Sequence, residues 1–167
     1  MTDAPLTPGH RLNSAVIRRD LYRLLSAFLA IGPVRACANG PQDPLRMLHE
    51  FCAEDEITYL LVSTAVMNRS QLDHMHKLRH DPDEKGWQPL EGTCGTLWPK
   101  TGDDRNKPLL LRDASDKIIH ATSVEIVEPA KSRLQLCGRH RNQEWIAMIE
   151  VIDYVRLSVR NFDDALA

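Results

Sequence analysis

An arginine, two carboxylates and an imidazole fall on one face of the stretch Leu109-Leu110-Leu111-Arg112-Asp113-Ala114-Ser115-Asp116-Lys117-Ile118-Ile119-His120. At about 3.6 residues per helical turn, Arg112, Asp116 and His120 drift only about 40° per step, and Asp113 lies about 20° from His120. An arginine fork neutralises phosphate, and an imidazole moves protons near neutral pH. His120, Arg112, Asp116 and Asp113 are therefore the candidate catalytic residues. The same spacing also makes an ordinary solvated stripe. Arg112 and Asp116 form an i,i+4 pair, and a histidine at a helix C-terminus suits the dipole.

Two further groups carry chemistry-bearing side chains. Lys131, Arg133, Arg139 and Arg141, with His140, lie on a stretch from Pro129 to Gln143 that has no acidic residue. They are the candidate nucleic-acid contacts, able to touch phosphates without reading sequence. No aromatic residue interleaves them, so a base-stacking platform is not indicated. Charge on a strand also serves simply to discourage aggregation. Asp73, His76 and His80, beside His74, fall at i, i+3 and i+7, and Asp81 or Asp83 follows. That spacing allows a metal, but Lys77 and Arg79 sit among the ligands and oppose one. No metal and no cofactor are expected. Phosphate-cradling glycine loops, G-x-S-x-G elbows and H-E-x-x-H pairs are absent.

The elements that must position these residues follow from pattern. The chain has 167 residues, 43% of them hydrophobic, and a formal net charge of −2. That length supports one domain, and that charge offers no global field for nucleic acid or an anionic membrane. No apolar run reaches the roughly 18 residues that span a bilayer. Cys37, Cys52, Cys94 and Cys137 are scattered, without a C-x-x-C pair. They read as reduced cysteines of a cytoplasmic protein. Cys94, within Gly92-Thr93-Cys94-Gly95, reads as part of a flexible loop.

Residues 1–12 read as a flexible arm and 13–167 as a single domain. A first helix should start at Asn13 or Ser14 and stop before Gly32-Pro33. A second should start with Asp43 as cap and Pro44 as first residue, with Leu45, Leu48, Phe51 and Cys52 facing inward. A third should run from Asp55 to Arg79. His80 to Asn106 lacks periodicity and reads as a long connection. Asn106 and Pro108 should open the fourth helix, which ends on His120. Alternation then predicts strands near Thr122–Glu128, Arg133–Cys137 and Trp145–Ile149, the last also readable as a helix start. A closing helix carries Val151, Val155, Val159 and Phe162. The expected fold class is mainly α: a five-helix bundle with a small antiparallel three-stranded meander, at about 122–149, inserted before the last helix. Leu24, Phe28, Leu60, Leu61, Leu111, Ile118, Val155 and Val159 are the expected core.

Asp116-Lys117-Ile118-Ile119-His120 resembles the end of the motif of the HEPN (higher eukaryotes and prokaryotes nucleotide-binding) superfamily, helical bundles whose ribonucleases carry an Arg and a late His on one helix. The wider string Leu111 to Ala121 is similar to a group of uncharacterised bacterial and mobile-element proteins. In these a comparable helix precedes a strand meander and a closing helix. Ser115 stands five residues before His120, where the common motif has Arg, and seven residues separate Arg112 from His120. The resemblance implies a HEPN-like protein of a bacterial defence or toxin–antitoxin type. Without Arg at position 115 it implies a non-catalytic RNA- or protein-binding module. The alternative is an active metal-independent endoribonuclease using His120 and Arg112. It also implies a homodimer, because HEPN sites usually form between two bundles.

Overall fold

A computed structural model describes residues 14–78, 90–102, 104–128 and 132–163. The expected arm, together with Lys131, His80, Asp81, Asp83 and Trp87, lies outside the described residues. The order of elements is α1 (Ser14–Cys37), α2 (Pro44–Leu78), β1 (Gly95–Trp98), β2 (Lys107–Pro108), α3 (Leu111–Ile119), β3 (Ser123–Glu128), β4 (Arg133–His140), β5 (Gln143–Glu150) and α4 (Val151–Asp163). The strands form one antiparallel sheet in the order β2-β1-β5-β4-β3. The five-helix bundle with a three-stranded insert is therefore wrong. Among the described residues there are four helices and a five-stranded sheet.

Two physical causes account for the difference. No Gly or Pro interrupts the chain between Pro44 and Leu78, so the second and third expected helices are one helix of 35 residues. The acidic run Glu54-Asp55-Glu56 is part of its surface and not a helix start. Strands β1 and β2, of four and two residues, are too short to show a period. They exist because β5 offers a partner: Leu97 aligns with Ala147 on one side and Lys107 on the other. Pro108 fits because β2 is an edge, where a missing N–H costs nothing. That pairing consumes the residues expected to start α3, which begins instead at Leu111 with Leu110 as an N-cap that makes no side-chain bond.

Helix α1 also runs past its expected stop, through Pro33 to Cys37. Its last turns are held from outside, by burial of Ile31 and by a pair between Arg35 and Glu50 of α2. At the start of α2, Asp43 accepts the Leu45 N–H at 2.8 Å and the Asn39 N–H at 2.8 Å. Those donors, Asn39 first, hold its carboxyl below the usual range. Pro44 occupies the first helical position, where its missing N–H is harmless.

One face of the sheet is apolar: Leu97, Leu134, Leu136, Trp145, Ala147 and Ile149 are buried. α3 and α4 pack against it, and α1 and α2 complete the core with Leu24, Phe28, Leu60 and Leu61. Leu111, Ile118 and Val155 are buried, while Val159 is only partly so. Buried polar groups join α2 to α4. The Tyr154 hydroxyl lies 3.1 Å from Thr64 Oγ1, and Asn68 Nδ2 donates to it at 3.2 Å. Asn68 Nδ2 also donates to Ser158 Oγ at 2.8 Å, and Asn161 Nδ2 donates to Asn68 Oδ1 at 3.1 Å. A satisfied network of this kind fixes one register between two helices.

Burial pushes the Tyr154 hydroxyl and the Cys94 thiol each up to about 12, from 10.0 and 9.0. For Cys94 the nearby charge of Asp153 adds to the effect. Both groups keep their protons in the folded state after the unfolded chain has lost them. The unfolded state then binds fewer protons, so stability falls as pH rises. Thermal melting should hold up to about pH 9 and then decline toward pH 12, by up to about 1.4 kcal/mol per pH unit for each group. Tyr154→Phe should flatten the upper part of that decline. A melting temperature level from pH 9 to 12 would contradict the two burials.

Candidate functional site

Helix α3 turns Leu111, Ala114, Ser115 and Ile118 inward. Arg112, Asp113, Asp116 and His120 therefore face out, but not alone. Arg69 and Asp73, an i,i+4 pair on α2, lie alongside. Asp73 Oδ1 accepts from Arg112 Nη2 at 2.8 Å, and its Oδ2 accepts from Arg69 Nε at 3.1 Å. Arg69 Nη1 then donates to Asp116 Oδ1 at 2.8 Å, and His120 Nε2 stands 3.9 Å from the same oxygen. The result is a chain of alternating charges, Arg112, Asp73, Arg69 and Asp116, with His120 at its end. Asp113 is not part of it and pairs with Lys107 at 3.3 Å.

Sequence reasoning placed Arg112, Asp116 and His120 on one face but missed the two α2 residues that link them. The Arg69–Asp73 spacing was visible, yet nothing local shows which helix will lie beside another. The Asp73 hydrogen bond, ahead of its Coulombic attraction, raises the Arg69 pKa. Both guanidiniums are thus already held by carboxylates. His120 caps the C-terminus of α3, its N–H bonded to the Asp116 carbonyl, and its side chain is 68% exposed. Half-exposed pairs of this kind are each worth about 1 kcal/mol or less. The chain of charges clamps α3 onto α2, and its imidazole lies in open solvent.

Ser115 is fully buried and donates its hydroxyl to the Leu111 carbonyl at 2.8 Å. The position five before His120 thus faces the core.

The basic residues do not form one patch. Arg133 Nε donates to Glu150 Oε1 at 2.6 Å, and Arg139 pairs with Glu144 at 3.1 Å. Both are cross-strand neighbours on β4 and β5. Arg141 lies in the two-residue turn with Asn142, at φ 47 and 64, the geometry of a tight hairpin. Eight residues of strand, roughly 27 Å, separate Arg133 from Arg141. Of the third group, Asp73 is engaged by the two arginines, and His74 and His76 are exposed. Among the described residues no group of three His, Cys, Asp or Glu side chains is placed to hold a metal ion. Among them, too, no helix is long and apolar enough to cross a membrane.

A feature of opposite sign to expectation lies on α2. Leu45, Leu48, Phe51 and Cys52, expected inside, are exposed, Phe51 by 77%. Ala53, Ile57, Leu60, Leu61, Thr64 and Asn68 make the inward stripe instead. The exposed apolar residues continue as Tyr59, Val62 and Val66. Leu48, Cys52, Asp55, Tyr59, Val62 and Val66 alternate steps of four and three, the repeat of a coiled-coil seam. Continued further, the same repeat reaches Arg69 and Asp73.

The chain matches no protein-family model, no curated protein and no solved structure.

Proposed function

We propose that the chain is a non-catalytic protein-binding module that pairs with a second copy of itself along α2. The observation that supports this is the exposed seam, with Leu48 and Tyr59 each 62% exposed. From Leu48 to Val66 it runs about 27 Å. Single exposed apolar residues need no explanation, but five on one stripe of a helix, with Asp55 among them, mark an interaction surface. Antiparallel pairing fits the charges. Asp55 and Arg69 stand seven residues either side of Val62, so a two-fold axis there sets Asp55 of one copy beside Arg69 of the other, which Asp73 and Asp116 already hold, and away from the like charge of the second Asp55. Parallel pairing would stack Asp55 on Asp55 instead. A non-catalytic reading is further supported by the engaged guanidiniums of Arg69 and Arg112. The link to bacterial defence or toxin–antitoxin systems is carried by the resemblance of α3 alone.

Sedimentation equilibrium tests this directly. The unmodified chain should be dimeric at about 10 µM, an affinity within reach of a standard-sized interface. Tyr59→Glu with Val62→Glu should make it monomeric with unchanged helical circular dichroism, because both side chains are exposed. A monomer at about 100 µM before any substitution would overturn the pairing.

A further inference from the structure

A second surface, on the sheet side of α2, has the form of a small-molecule site. The C-terminal part of α1, the N-terminal half of α2 and strands β3 and β4 enclose a cleft of about 350 Å³, at the low end of the range for ligand pockets. Its construction follows from helix geometry. His49, Ala53 and Ile57, at i, i+4 and i+8, share one face of α2 and look into the cleft, with Ile31, Ile126 and Leu134 completing an apolar floor. One residue further round the helix, Glu50, Glu54 and Thr58 form its rim, with Glu125 opposite on β3.

We infer that this cleft binds a small organic cation: a primary amine on an apolar body. Two observations of different kind point there. The first is charge. Arg35 and Arg46 hold Glu50, at 3.5 and 2.9 Å, but neither Glu54 nor Glu125 has a cationic partner among the described residues. The rim therefore has negative charge to spare, which repels an anion and attracts a cation. The second is His49, whose Nε2 is buried without a hydrogen-bond partner. A buried polar atom left unpaired is costly and rare in folded proteins. With its proton on Nδ1, the imidazole presents Nε2 as an acceptor. That nitrogen has no solvent-exposed surface, so a turn of the His49 ring brings it to the cleft; an ammonium then donates one N–H to it and places its charge toward Glu54, while the apolar body lies on Ile31, Ala53 and Ile57. A neutral alcohol satisfies the imidazole only, and a carboxylate meets the rim with like charge.

The inference is independent of pairing along the exposed face of α2. Three probes with one phenyl body distinguish the chemistry: 2-phenylethylamine, 2-phenylethanol and 3-phenylpropionate. Each is titrated into the full chain while the His49 ring nitrogens are followed by NMR. The amine should bind and shift the His49 resonances. The alcohol should bind about ten-fold more weakly, the effect of one charge-assisted contact, and the carboxylate should bind weakest of the three. Glu54→Gln, at an exposed rim position, should bring the amine down to the level of the alcohol, and His49→Leu should weaken amine and alcohol alike. Equal binding of all three probes, best binding by the carboxylate, or no His49 shift with the amine at millimolar concentration would overturn the assignment. So would amine binding that ignores both substitutions.

Discussion

Ser115→Arg should destabilise the protein by several kcal/mol and should confer no cleavage of RNA. Ser115 is fully buried on the face of α3 that also carries Leu111, Ala114 and Ile118. A guanidinium placed there is buried on the same face as three apolar side chains. An isolated buried charge costs several kcal/mol even after relaxation, and the longer side chain adds the cost of overpacking. At about 2 to 4 °C per kcal/mol for a chain of this size, melting should fall by roughly 10 °C or more. Ser115→Ala should cost about 1 kcal/mol or less, because it loses only a bond between the hydroxyl and its own helix. Thermal denaturation of the pair, with an RNA cleavage assay on both, decides the matter. A Ser115→Arg variant as stable as the unmodified chain that also cleaves RNA would restore the motif reading of α3, with Arg and His acting together.

Ser115 also shows why the chemistry was less legible than the elements. A motif written as residue spacing ignores which side of a helix is buried, and burial depends on what packs against it. The outward set on α3 could be read from angle alone, because Arg112, Asp116 and His120 recur at four-residue steps. Their engagement could not, because Arg69 and Asp73 come from an element about 40 residues earlier, and such long-range neighbours leave no local trace. The strands β3 and β4 were visible in the alternation of Val124, Ile126, Leu134 and Leu136 with polar residues, whereas the run Trp145–Ile149 in β5 reads equally as a strand or a helix start. The Asp43-Pro44 start of α2 was visible because capping is local chemistry.

The inward face of α2 was misread for a related reason. Between Leu45 and Cys52 apolar residues occur on more than one side of the helix, so its local period does not choose a face. The choice is made by Ala53, Ile57, Leu60 and Leu61, whose burial fixes the rotation of the whole helix. Leu48 and Phe51 then point outward because a continuous helix cannot turn independently at its start. Their exposure is a consequence of helix continuity, and it provides the apolar residues of the proposed pairing seam.

Gly95→Ala should be the most damaging single-methyl substitution in the described structure, costing about 3 kcal/mol or more in urea denaturation. Gly95 has φ 151, and a Cβ built there would lie 1.9 Å from the Met148 carbonyl oxygen and 2.9 Å from its carbon. Both are backbone atoms of β5, so no side chain can swing aside. The strand must separate or β1 must detach. Gly95 is also where the non-local part of the sheet is joined. It aligns with Ile149, and its carbonyl accepts the Leu109 N–H at 2.9 Å, just before α3 begins. Displacing it therefore loosens the approach to α3 as well as β1. Gly102→Ala is the control: φ is 82 there, but nothing lies within 4 Å of the added carbon. That change should cost only the backbone term of about 1 to 2 kcal/mol. In Gly95→Ala, amide exchange should accelerate at Leu109 and in β1 before it does in the β4–β5 hairpin, whose pairing does not involve Gly95. Equal losses for Gly95→Ala and Gly102→Ala would mean that β1 does not lie against β5 in this register. The strand order β2-β1-β5-β4-β3 would then lose its join between β1 and β5.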